Sequence, residues 1–120
     1  MTRGQYLRTL LQAYVEAPDT PERPRRRDRA IASELQRSGV PLEHLLHAIR
    51  LANLRRSLTG PHPPVHSLAY YRTVLLALTN EELEPHFVEY VKRRHRQLGD
   101  RTDSTQTRLH NRNPALPGRR

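Results

Sequence analysis

SLAYYRTVLLALT, residues 67–79, is the stretch on which the fold turns. It is apolar almost all round, with only Arg72 and Thr73 polar inside it, and its tyrosines and Val74 also suit a β-strand. No second segment has the alternating pattern of a partner strand, and a lone strand is not stable. The stretch is therefore read as a helix, and the chain as all-α. Upstream, LTGPHPPVH (58–66) holds three prolines and a glycine and reads as a Pro-rich loop. Before it, residues 41–58 have two apolar sides. Leu42, Leu45, Leu46, Ile49 and Ala52 share one, and Leu51, Leu54 and Leu58 lie nearly opposite. A helix apolar on two sides packs on two sides, so this third helix is expected at the centre.

Working outward, Gly39 stops a second helix over 25–38, and Pro41 suits the first turn of the third. Pro18, Pro21 and Pro24 make a stiff linker over 18–24. Thr2 and Gln5 have capping-box spacing ahead of Tyr6, Leu7, Leu10, Leu11, Tyr14 and Val15, which predicts a first helix ending near Ala17. Downstream, Thr79 and Glu82 again have capping-box spacing, and Glu84-Pro85 fits the start of a last helix ended by Gly99. The expected architecture is one domain over 1–98, a small bundle of about five helices, followed by a disordered basic tail over 99–120.

The chain has 120 residues, 21 Lys plus Arg against 12 Asp plus Glu, and a net charge of +9. Cysteine is absent, which excludes disulfides and thiolate chemistry, and no glycine-rich phosphate loop is present. No apolar run is long enough to span a membrane and the N-terminus lacks a signal-peptide pattern, so a cytoplasmic protein is expected. All the basic residues but Lys92 are arginine, a skew that base composition alone can produce, so placement is the better guide. Arg23, Arg25, Arg26, Arg27 and Arg29 crowd together, offset only by Asp28, and Lys92, Arg93, Arg94 and Arg96 form a second group. At 100° per residue Arg26, Arg29 and Arg37 lie opposite Ile31 and Leu35. Such a row attracts polyanions through their phosphates. The predicted nucleic-acid contacts are Arg25, Arg26, Arg29, Arg37, Arg50, Arg93 and Arg96, with Glu43, His44, His47 and Arg50 as base readers on an exposed part of the third helix.

Catalysis is not expected. Glu81, Glu82 and Glu84 crowd a helix start, where carboxylates cap free amides. The serines lack nucleophile-elbow glycines, and Tyr70 or Tyr71 beside Arg72 lacks a recognisable supporting set for attack on a phosphodiester. His44 with His47 and His62 with His66 have spacings that permit a shared metal, but only Glu43 stands near as a further ligand, so no metal or cofactor is expected. His95 reads as a boundary residue of the last helix.

ELQRSGVPLEHLLHAI (34–49) resembles the helix-turn-helix of MerR-type regulators, in which a glycine turn leads into an apolar helix. An ordinary αα-hairpin uses the same glycine and caps, and both readings stand. Ala48–Ala52 together with Tyr70, Tyr71, Val74 and Leu75 resembles the replisome-organiser (DnaD-like) family, with Leu78 in place of its tryptophan and a longer loop between the helices. The resemblances imply a bacterial regulator, or a replication or mobile-element accessory, that binds nucleic acid, DNA more than RNA. The alternative is an assembly subunit or homo-oligomer that uses the helix at 67–79 and the second face of the third helix as its interface.

Overall fold

The computed structural model describes the backbone of residues 1–112 and the side chains of residues 1–98. The chain is all-helical among the described residues: α1 (Arg3–Glu16), α2 (Arg26–Arg37), α3 (Leu42–Leu58), α4 (Ala69–Leu76) and α5 (Pro85–Arg112). None of these is long and apolar enough to cross a membrane. α1 starts where its local chemistry demands. Thr2 Oγ1 accepts from the Gln5 amide at 3.1 Å and the Gln5 side chain accepts from the Thr2 amide at 2.8 Å, so two otherwise unpaired donors are satisfied together.

α2 ends in a Schellman turn. The Val40 amide bonds the Leu35 carbonyl and the Gly39 amide bonds that of Gln36, each at 3.1 Å, with Gly39 at φ 78°. A side chain there would be strained, which is why the stop falls at this glycine.

α3 is the centre of the bundle. It packs against α1, α4 and α5, while α2 packs on α1. Its first face joins Tyr6, Leu10 and Tyr14 of α1, Ile31 and Leu35 of α2, and Leu68 and Tyr71 around α4 in one core. The Tyr14 and Tyr71 rings meet edge to face, 6.1 Å apart, and the Tyr6 hydroxyl donates to the Val40 carbonyl at 2.6 Å. Its second face, with Leu51 buried, is covered by Val91 and Phe87 of α5. On that face Leu51 is buried and Leu54 half-buried, while Leu58 stays 80% exposed.

The linker is pinned rather than merely stiff. Asp19 takes a left-handed φ of 63°, its carbonyl accepts the Val65 amide at 2.8 Å, and Val65 is buried. The linker and the Pro-rich loop therefore hold each other down.

Three boundaries differ from expectation. α4 is shorter than 67–79, because the chain turns off at Ala77, whose amide bonds the Thr73 and Val74 carbonyls, and Leu76 is left 80% exposed. The Thr79–Glu82 capping pair forms, but it caps a lone turn over 79–83. α5 has its own cap, with the Phe87 amide bonded to the Glu84 carboxylate at 3.3 Å and Pro85 in the first turn. Finally, α5 does not stop at Gly99 but runs to Arg112. A single glycine inside a helix costs only about 1 kcal/mol relative to alanine, too little to end one by itself. Of the expected tail, 99–112 is helical backbone and 113–120 lies outside the described residues.

Every buried residue described lies at or before Val91. A chain ending at Leu98 is thus expected to melt cooperatively within about 2–4 °C of the full chain, the usual span for removing surface residues. Thermal circular dichroism checks this. Collapse of the shortened chain would show that residues beyond Leu98 hold the core together.

Candidate nucleic-acid interface

Arg25, Arg26, Arg29 and Arg37 are all exposed on or beside α2, opposite buried Ile31, Ala32 and Leu35. The row is uncompensated because both acids of this helix are engaged elsewhere. Asp28 is 1% exposed, and its carboxylate accepts the Arg25 amide and the Leu68 amide, each at 2.9 Å. It therefore caps α2 and anchors the start of α4. Glu34 turns the other way to pair with Arg72 of α4 at 3.4 Å. None of the four arginines has an ion-pair partner among the described residues.

Two further cations join this surface. Arg27 is exposed in the first turn of α2. Arg3 of α1 donates to Ser33 Oγ, which also accepts from Arg37 at 3.4 Å. Two guanidinium groups from different helices thus share one hydroxyl, with no carboxylate between them.

The remaining predicted contacts lie apart from this row. Arg50 is half-buried in the seam between α1 and α5, in a cavity of about 270 Å³ shared with Glu16, Asn53 and His95. Its Nη1 is buried without a hydrogen-bond partner among the described residues. Arg93 and Arg96 are exposed on α5, which packs on α3 rather than on α2. The basic residues therefore form two patches, one on α2 and one along α5 with Arg50 beside it.

The expectation that His47 reads bases from an exposed face is overturned. His47 is 1% exposed, its Nε2–H donates to the Glu82 carbonyl at 2.6 Å, and its ring meets Phe87 edge-on at 5.9 Å. It docks the lone turn at 79–83 onto α3. At the start of α3 only Glu43 is exposed and His44 half-exposed, because the helix is enclosed by its neighbours. Tyr71 is likewise enclosed, with its hydroxyl bonded to Asn53 Oδ1 at 3.3 Å, and burial pushes its phenol up. It is thereby withdrawn from phosphodiester attack. His62 and His66 sit on the loop, and no group of three metal-ligating side chains forms among the described residues.

The folded state holds His47 and His95 below the usual histidine range, in both cases chiefly through burial. The nearby Arg50 acts in the same direction on each, while the Glu82 carbonyl opposes it at His47. Their neutral forms are favoured when folded, so the unfolded chain takes up protons first as pH falls through about 6.5. Stability is expected to be full above about pH 7.5 and to decline on acidification to about pH 5.5. His47→Gln, which keeps a donor for the Glu82 carbonyl, should show a smaller decline. Identical pH dependence of the two melts would contradict this assignment.

No family model matches the chain, and no curated protein or solved structure matches it. Sequence reasoning did not find the roles of Arg3 and Asp28. Asp28 alone carried a local signal, since its place three residues after Arg25 fits a cap. Arg3 reaches a serine 30 residues away, which no spacing rule announces.

Proposed function

We propose that this protein is a non-enzymatic nucleic-acid-binding helical module, with DNA as the first polyanion to test, and that the outward row of α2 is its main contact surface. The observation that supports this best is the engagement of Asp28 and Glu34 away from that face. A row of guanidinium groups free of ion-pair partners among the described residues keeps its full charge for phosphates. Arg3 widens the surface, and Arg93, Arg96 and Arg50 offer a second, separate phosphate contact. Such binding is driven by release of counterions, so it reads backbone before sequence. With α3 enclosed, base-edge reading from its start has little more than Glu43 and His44 to offer, and sequence preference should be weak.

Retention of generic duplex and single-stranded nucleic acid at about 50 mM salt, declining log-linearly as salt rises, is the expected result. Absence of retention at that salt would remove the proposal. A second reading, as an assembly subunit, is favoured by one specific feature: Leu58 and Tyr90, 80% and 48% exposed, edge an apolar groove of about 210 Å³ between α3 and α5. A concentration-dependent oligomer that retains no nucleic acid would favour it.

A further inference from the structure

At the start of α2 the surface stops being a row and becomes a concavity. Arg27 meets Arg56 of α3, His62 and His66 of the Pro-rich loop, and Ser67 and Tyr70 at the start of α4, around an open cleft of about 510 Å³. Among the described residues no carboxylate lines it. We infer that this cleft seats a phosphate monoester, the terminal phosphate of a nucleic-acid strand lying along α2; the inference rests on the proposed function above.

Arg56 is the fixed element. Its side chain is only 13% exposed. Nη2 donates to the Pro63 carbonyl at 2.7 Å and to Asp19 at 3.3 Å, and the guanidinium lies 5.6 Å from the centre of the Tyr70 ring. Asp19 itself lines the neighbouring cavity, not this one. Both of these hydrogen bonds of Arg56 leave from Nη2, and the Tyr70 hydroxyl is the other polar group beside the guanidinium, so a ligand would share the remaining Arg56 donors with Tyr70. Arg27, exposed and without an ion-pair partner among the described residues, supplies the second fork.

The backbone at the start of α4 does not contribute. The Leu68 amide is taken by Asp28 and the Ala69 amide by Ser67 Oγ at 2.9 Å, so the start of α4 offers no free donors there. The site is built from side chains: two guanidinium groups, two imidazoles and two hydroxyls. An internal phosphodiester carries one charge and continues in both directions. A monoester carries close to two charges and three acceptor oxygens, which matches two forked donors in one recess. Pro63 and Pro64 line the cleft, so a strand that follows the α2 row toward Arg27 ends against the loop.

The test compares short single strands of one sequence with a 5′-phosphate, a 3′-phosphate or hydroxyl ends, together with a free nucleoside monophosphate, by anisotropy and competition on the full chain. One phosphorylated strand is expected to bind about tenfold tighter than the hydroxyl-ended one, the size of a charge-assisted contact. Arg27→Gln, at an exposed position, and His66→Gln should each shrink that ratio. Combined replacement of Arg26, Arg29 and Arg37 by alanine should weaken all three strands and leave the ratio intact. Equal affinities for the three strands would overturn the inference while leaving the row reading in place, and no binding of any strand would remove both. A ratio untouched by Arg27→Gln and His66→Gln would move the phosphate away from this cleft. A nucleoside monophosphate that binds as tightly as the phosphorylated strand would assign the cleft to a small phosphate ester and overturn the strand-end claim.

Discussion

Asp28→Ala is expected to lower stability by about 2–4 kcal/mol, the cost of removing a charged acceptor from two backbone donors. For a domain of this size that is a fall of roughly 10–25 °C in melting temperature. The reason is the double role of one carboxylate. It closes the first turn of α2 through the Arg25 amide and, 40 residues on, satisfies the Leu68 amide at the start of α4. Leu68 is fully buried, so its amide has no ready access to water once Asp28 is gone. Asp28→Asn keeps one acceptor oxygen and nearly the same shape, and should lose about half as much. Glu22→Ala, at an exposed acid, should change stability by less than about 0.5 kcal/mol. A melt of Asp28→Ala within about 3 °C of the parent would show that α4 is positioned by packing alone.

Asp28 also marks the boundary of what the sequence makes legible. The devices read correctly are those whose partners lie within one turn: the Thr2–Gln5 box, the glycine stop at 39, the Glu84–Pro85 start and the Pro-rich loop. The central place of α3 was legible as well, because apolar residues on two faces need two layers of cover whatever those layers are. What spacing could not show was long-range. The Leu68 amide lies 40 residues from Asp28, and the Glu82 carbonyl that withdraws His47 from the surface lies 35 residues away. The Thr79–Glu82 signature was real chemistry attached to the wrong element, since a capping pair looks the same on a single turn as on a long helix. Gly39 and Gly99 show the same limit. Both are glycines at an expected helix end, but only Gly39 is backed by a left-handed φ and two Schellman bonds. At the candidate interface, the outward direction of Arg26, Arg29 and Arg37 followed from helical geometry alone. That the acids of the same helix leave the row uncompensated required the positions of Arg72 and Leu68.

Replacing Arg26, Arg29 and Arg37 together by alanine is expected to flatten the slope of log affinity against log salt by about 2–3 units, at roughly 0.7–0.9 for each phosphate no longer neutralised. Extrapolated from about 1 M salt, where the counterion term vanishes, this amounts to roughly a hundredfold weaker binding near 0.15 M. The fold should scarcely notice. All three side chains are exposed and none is in an ion pair among the described residues, so the melting temperature should move by no more than a few degrees. Arg72→Ala is the informative contrast. Arg72 is paired with Glu34, so its replacement frees a carboxylate on α2 rather than removing a member of the row. Glu34 can then offset its arginine neighbours, and binding should weaken, though by much less than in the triple variant. A triple variant that binds as tightly as the parent at every salt concentration would place the interface elsewhere. The α5 patch of Arg93 and Arg96 would be the next surface to test, and a similar flattening of the slope on their replacement would transfer the interface to that helix.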